Sequence, residues 1–249
     1  MDIDFREGRI RIDAEADPER LRRFLKSHEP WRHRIDFSGG ISTADFLIAE
    51  PFSDTPCRKV QLAEHYVGAL SGYERALDVG CNAGYNSLYL ASRYGMQVLG
   101  LDHLPRHVQV SQELARIAGV PGCRFQQGDV ESFRDPQGFD LILHFGTLYH
   151  LRNPVRALET AFANLRPGGL MLIETQLYGF PWSRKAAFIR GYRGDNSNWW
   201  ALGERTLKDI CAVFGAEATR IGRHHLTRHW LQTRALFRVV KPARSSGAS

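Results

Sequence analysis

No apolar run in this chain approaches the roughly 18 residues that a membrane-crossing helix needs. Cysteine is sparse. Its four positions, Cys57, Cys81, Cys123 and Cys211, are scattered and form no C-x-x-C pair, so neither a zinc site nor a disulfide framework is expected. Each is read instead as a small buried residue, in a reducing cytoplasm. No signal peptide is expected: Met1-Asp-Ile-Asp-Phe-Arg-Glu is polar and acidic where one would be basic and then apolar. No internal repeat is visible. His224, His225 and His229 adjoin one another without supporting carboxylates, so no metal is expected there. Acid is in deficit, with 27 Asp and Glu against 33 Lys and Arg, for a net charge of +6. Such a balance can steer anionic substrates. The densest part, Arg220, Arg223, Arg228, Arg234, Arg238, Lys241 and Arg244, is equally explained by a solvated face.

What the chain does have is length enough, at 249 residues, for one domain with elaborations and a full core. Its most informative stretch is Ala76-Leu-Asp78-Val-Gly80-Cys-Asn82-Ala-Gly84. A short apolar run ends in an acid and a glycine-punctuated turn, and an amphipathic segment, Tyr85 to Tyr94, follows at once. That order predicts strand, tight turn, helix. Such a turn brings backbone N–H groups and a helix N-terminus to a bound ligand. Gly80 and Gly84 leave room for it, and Asn82 is the next best residue to glycine at positive φ. The nicotinamide-dinucleotide fingerprint G-x-G-x-x-G is not met, because Asn82 and Tyr85 stand at its second and third glycines.

Later segments continue the pattern. Gln97 to Asp102 predicts a second strand ending in an acid, 22 positions after Gly80. Arg124 to Asp129 predicts a third strand, again ending in an acid. Phe139 to Phe145 and Leu170 to Glu174 predict a fourth and a fifth, the last launched by the turn Pro167-Gly-Gly169. Each is nearly continuously apolar, as strands covered on both faces are. Pro105 to Ala118 and Pro154 to Leu165 carry helical periodicity, each with proline near its start. A carboxylate at the tip of a second strand can accept both hydroxyls of a ribose.

The order acid-x-Gly-x-x-x-Gly resembles motif I of the class I S-adenosylmethionine (SAM) methyltransferases, with Asn82 departing from the usual glycine. The resemblance implies a Rossmann-like, doubly wound α/β fold: a seven-stranded mixed sheet with its last strand antiparallel. It adds an N-terminal extension over residues 1–58, a SAM-binding domain over 59–240, a substrate lid inserted after the fifth strand at 176–203, and a disordered tail at 241–249. Within the extension, Asp17 to Leu25 predicts a capped helix and Trp31 to Thr43 a hairpin. A leading helix is predicted over Lys59 to Leu70, and two final strands over Glu217 to Ile221 and Thr233 to Val240. The lid is rich in aromatic and basic residues, with a packed loop helix as its alternative. Asp78, Gly80, Asn82, Gly84 and Asp102 with neighbouring His103 would hold the donor. Asp129, which in the family takes the adenine amino group, would join them with Val130 and Phe145.

Further pieces resemble one branch of that family, the enzymes related to tRNA wobble-uridine (5-oxyacetate-forming) methyl- and carboxymethyltransferases. They are Pro30-Trp31 to Phe37 with Gly40 to Thr43, Gly146-Thr-Leu-Tyr149-His150-Leu-Arg-Asn-Pro154, Leu172 to Thr175, and Asn198-Trp-Trp200. This implies Tyr149 near the transferred group. Carboxymethyl-transferring members also use a lysine soon after Pro-Trp. Here Arg32, His33 and Arg34 follow, and no lysine comes before Lys59, so plain SAM is the expected donor.

If the acceptor is a hydroxyl, a general base helps, and histidine suits it. His150 is the candidate base with Tyr149 beside it, packing on the following helix being the alternative. Glu174 is a second candidate base, and His144, inside its strand, is read as structural. The expected activity is O-methylation of a small-molecule acceptor. A tRNA-modifying enzyme and a non-catalytic SAM-binding subunit are the alternatives. No membrane contact is expected, and the sequence leaves the oligomeric state open.

Overall fold

The computed structural model describes residues 9–13, 16–48, 59–180, 182–191, 195–225 and 233–243, with the backbone alone for 223–225 and 233. Its strands, numbered in chain order β1 (Arg75–Val79), β2 (Gln97–Asp102), β3 (Cys123–Gln127), β4 (Phe139–Phe145), β5 (Leu165–Gln176), β6 (Ala186–Phe188), β7 (Trp200–Leu202), β8 (Ala218–His225) and β9 (Thr233–Val240), form a seven-stranded sheet in the order β3-β2-β1-β4-β5-β9-β8 and a separate pair, β6-β7. The chain divides into two compact units, residues 1–128 and 129–249.

In the first unit, helix α1 (Pro18–Ser27) starts where Asp17 accepts the N–H groups of Glu19 and Arg20, and it buries Leu21, Phe24 and Leu25. The expected hairpin shrinks to a single antiparallel bridge, Asp36 to Ser42, which encloses the 3₁₀ turn Ser38–Gly40 and is followed by another at Ala44–Phe46. The ladder stops because the buried Thr43 hydroxyl takes the Ile35 N–H and donates to the His33 carbonyl. Helix α2 (Lys59–Val67) ends three residues before the expected Leu70, at Gly68 with φ +83°. Strand β1 (Arg75–Val79), helix α3 (Tyr85–Tyr94), strand β2 (Gln97–Asp102), helix α4 (Pro105–Ile117) and strand β3 (Cys123–Gln127) follow. The three strands are parallel, with Asp78 opposite Gly100 and Gly100 opposite Phe125. Strand β3 closes at Gln127, so Asp129 lies beyond its tip. The polar exposed residues Gln126 and Gln127 already mark that end.

In the second unit, strand β4 (Phe139–Phe145) leads into a 3₁₀ turn, Leu148–His150, and then helix α5 (Pro154–Asn164). The Asn153 side chain caps α5 at the Arg156 N–H. Strand β5 (Leu165–Gln176) is longer than expected at both ends. The turn Pro167 to Gly169 is absorbed as an irregularity in its pairing with β4, between Phe139 and Leu141. Strands β6 (Ala186–Phe188) and β7 (Trp200–Leu202) pair antiparallel inside the insertion. Helix α6 (Glu204–Val213) precedes β8 (Ala218–His225) and β9 (Thr233–Val240). Strand β8 runs four residues past the expected Ile221. Strand β9 is antiparallel to both β5 and β8. His224 and His225 sit on β8, and His229 is outside the described residues.

Burial explains the apolar runs. Leu141, Ile142 and Leu143 of β4 and Met171, Leu172 and Ile173 of β5 are all fully buried, so side chains on both faces of these strands are covered. Each such Leu or Ile stabilises the fold by about 1.5–3 kcal/mol. The chain stays anchored one residue into the expected tail. Lys241 Nζ donates to the Phe162 and Leu165 carbonyls, and its N–H to Gly169.

Candidate functional site

The turn after β1 is built around two acids. Asp78 is buried, and its Oδ2 accepts the Ser87 hydroxyl at 2.8 Å, tying strand β1 to the first turn of α3. Burial pushes its carboxyl up to about 6, against hydrogen bonds from Ser87 and Asn86. Asp102 closes β2. Its Oδ2 accepts the Asn82 N–H and its Oδ1 the Leu104 N–H, each at 3.0 Å, and His107 Nδ1 lies 3.2 Å from Oδ1. Burial alone would raise Asp102, but His107 and the two N–H groups outweigh it and hold the carboxyl below its usual range. Exposed His103 is farther, 3.6 Å from the same oxygen.

Asn82 adopts φ +48°, the sole non-glycine residue at positive φ among the described residues. Its amide oxygen takes the Ala83 N–H, and its carbonyl takes the Ser111 hydroxyl. The N–H groups of Gly80, Cys81, Asn82, Ala83 and Gly84 all have protein acceptors: Leu101 O twice, Asp102, the Asn82 side chain and Cys81 O. They brace the turn. The space at Gly84 is also taken, since a Cβ there would lie 3.0 Å from the Phe125 ring and 3.1 Å from Ser111 Cβ. Glycine at 84 serves this packing and a left-handed φ of +81°.

In the second unit, Asp129 is exposed and caps a turn, its Oδ1 accepting the Glu131 N–H at 2.9 Å. Val130 and Phe145 are buried. Tyr149 and His150 occupy the 3₁₀ turn after β4, their rings 4.3 Å apart. Tyr149 is buried, and its hydroxyl oxygen accepts Arg234 Nη1 and Nη2, each at 3.1 Å. Arg234 in turn forms a bidentate pair with Glu174, through Nη2 to Oε2 at 2.6 Å and Nε to Oε1. Both partners are buried, which corrects two readings: Arg234 is no solvated base, and Glu174 is committed to a guanidinium instead of serving as a general base. The pairing with Glu174 and Tyr149 overrides burial and raises the Arg234 pKa.

His150 is half-buried. Its Nδ1 lies 2.9 Å from the Ser197 carbonyl and 3.1 Å from the Ser197 hydroxyl, in the insertion after β5. His144 is fully buried, and burial pushes its imidazole down to about 4, so it is neutral at pH 7. Sequence reasoning missed Arg234, Ser197 and His107. One signal was present: Arg234 and Glu174 are opposite charges set inside two apolar strands, and buried charges are paired.

The carboxylate of Asp102 also fits the donor expected from the sequence. An ionised carboxylate offers about four acceptor positions. With three protein contacts on Asp102, one acceptor position remains for a ribose hydroxyl.

Comparisons with known proteins agree with the fold. A family model described as a methyltransferase domain matches residues 70–203. The tRNA U34 carboxymethyltransferase of Methylococcus capsulatus is 32% identical over 181 residues, covering 70% of this chain and 53% of that protein. The ubiquinone biosynthesis O-methyltransferase of a Bradyrhizobium species is 27% identical over 160 residues, covering 64% of this chain and 62% of that one. The chain spans about half the length of the carboxymethyltransferases it matches. Among solved structures, the N-terminal domain of EvdMO1 with SAH bound superposes with a TM-score of 0.68 at 18% identity, over 91% of this chain and 97% of that one.

Proposed function

This chain belongs to the methyltransferase domain family, and from that premise we propose that it methylates a hydroxyl of a small molecule with SAM, using His150 as general base. Bound SAM supplies an electrophilic methyl group on a sulfonium. Asp102 is the residue assigned to the donor's ribose, because its carboxylate is ionised, buried and fixed by two backbone N–H groups. Tyr149, held by Arg234, orients what lies near the transferred group.

The observation that carries the reading is the setting of His150. It stands half-buried on the turn after β4, with Nδ1 against a carbonyl. A carbonyl only accepts, so Nδ1 donates to it, and Nε2 is the nitrogen assigned as the base. The O-methyltransferase relative supports a small acceptor. The test is incubation of the pure protein with SAM and a panel of hydroxylated metabolites. Turnover is expected with at least one, and its loss in His150→Gln. A His150→Gln protein that turns over normally refutes the base, and an inert panel favours a SAM-binding subunit.

A second reading, modification of tRNA, draws on the printed names of the carboxymethyltransferase relatives. It predicts tRNA retention that weakens steeply with salt, since phosphate contacts release counterions. Absence of retention at low salt removes it. The missing lysine after Trp31 argues for plain SAM over a carboxylated donor.

A further inference from the structure

Two buried polar groups near the His150 turn are left unsatisfied by the fold. Gln176 ends β5 and is 3% exposed, yet its amide Oε1 meets no hydrogen-bond donor among the described residues. Trp200 opens β7, and its indole Nε1 is cut off from solvent with no acceptor among them. Such groups forfeit the bonds they made to water, and native interiors keep few of them. Both stand one step from Tyr149. Gln176 pairs with Arg234 across the β5–β9 ladder, and directly opposed residues share a face of the sheet. Arg234 donates to the Tyr149 hydroxyl. Trp200 follows Trp199, whose N–H donates to the Tyr149 carbonyl at 2.9 Å. A parallel bridge between Leu177 and Leu202 ties the two strand ends together.

The chemistry of the two groups selects what can satisfy them. An amide oxygen only accepts, and an indole N–H only donates. An ionised carboxylate or phosphate is acceptor-only, so it would answer Trp200 and leave Gln176 facing another acceptor. An ammonium is donor-only, so it would answer Gln176 and leave Trp200. A hydroxyl does both, and neighbouring hydroxyls on one ring do both at once. Arg234, the cation on this face, is already neutralised by Glu174, so it offers an anion no unspent charge. Trp200 and Phe188 are paired across β6–β7 with ring centroids 5.1 Å apart. Their rings add apolar surface suited to the C–H face of a sugar. We propose that Gln176 and Trp200 hold an uncharged polyhydroxylated ring, a sugar or glycoside, as the methyl acceptor. Gln176 accepts from one hydroxyl, and Trp200 donates to another. This deepens the reading of a hydroxylated small-molecule acceptor and rests on it.

The test is saturation-transfer NMR on the full chain with S-adenosylhomocysteine. The probes are methyl glycosides of hexoses and pentoses, with the matching sugar phosphates and uronates as charged controls. At least one methyl glycoside should bind, and its charged counterpart should bind about tenfold more weakly. Gln176→Leu and Trp200→Phe keep the bulk and delete the polar group, and each should raise the Kd about three- to tenfold. Without a sugar, both variants should melt at or above the temperature of the unmodified protein, because each removes an unsatisfied polar atom. A role confined to the fold would reverse this pattern, lowering the melting temperature and sparing affinity, and that result overturns the proposal. So does a charged probe that binds as tightly as its neutral twin, and so does a panel in which no glycoside binds. The readout involves no turnover, so it fails separately from the base reading, which falls if His150→Gln methylates at the unmodified rate.

Discussion

In the first unit, Asp78 and Asp102 find their donors close by in sequence. Ser87 is 9 positions from Asp78, and Asn82 and Leu104 are 20 and 2 positions from Asp102. In the second unit the polar partners are far apart. Glu174 meets Arg234 across 60 positions, Tyr149 meets the same arginine across 85, and His150 meets Ser197 across 47. The first unit thus holds carboxylates mainly with backbone N–H groups and one short turn. The second holds side chains with other side chains, brought together only by the register of β5 and β9 and by the insertion. Local backbone bracing survives many substitutions. A long-range buried network depends on every member.

That difference can be broken most sharply at Arg234. Arg234→Met leaves Glu174 buried without its counter-ion, which should destabilise the chain by about 3–5 kcal/mol. Arg234→Met with Glu174→Gln should recover most of that loss, because no charge is then stranded. Urea denaturation of the two variants makes the comparison. A single variant as stable as the unmodified protein would show that the pair contributes nothing.

On the catalytic side, His150→Gln should slow methyl transfer by about 10²–10⁴-fold, the usual worth of a positioned base. Single-turnover kinetics with saturating SAM would measure it.

The two units also differ in the sign of a buried titration. Burial raises Asp78 to about 6, so folding favours its protonated form. Its contribution to stability is full below about pH 4 and is lost as pH rises through 6. Burial lowers His144 to about 4, so folding favours its neutral form. Its contribution is full above about pH 6.5 and is lost as pH falls through 4. Each shift is about two pH units, about 3 kcal/mol, and the two slopes oppose. The unmodified protein should therefore show little net slope from these groups between pH 4 and 6.5. Asp78→Asn should expose a stability that rises with pH, and His144→Phe one that falls. Denaturation at pH 4.5 and 6.5 checks both, and parallel profiles for the two variants would refute the assignment.

What could be read from the sequence follows the same division. Strand β2 and helix α3 match their expected spans, because a nearly continuous apolar run, an amphipathic period and glycine punctuation are local signals. The left-handed Asn82 was legible for the same reason. The use of the turn's N–H groups was not, since whether a donor faces a ligand or a neighbouring strand depends on how β1 and β2 register. Nor could the hydroxyl of Thr43 be seen ending a hairpin, or Ser197 be seen meeting His150. Such contacts are decided by which loops fold back on which turns, and no periodicity records that. Arg234 was hidden by composition, because a basic C-terminal stretch looks solvated until one arginine is found inside a sheet.

If donor binding rests on Asp102 and the proton chemistry on His150, calorimetry with SAM separates the two roles. The unmodified protein and His150→Gln should bind SAM equally well. Asp102→Ala should bind it about 1–3 kcal/mol more weakly, the scale of hydrogen bonds to a charged group. No heat with the unmodified protein, or a loss of affinity in His150→Gln and none in Asp102→Ala, would contradict the account.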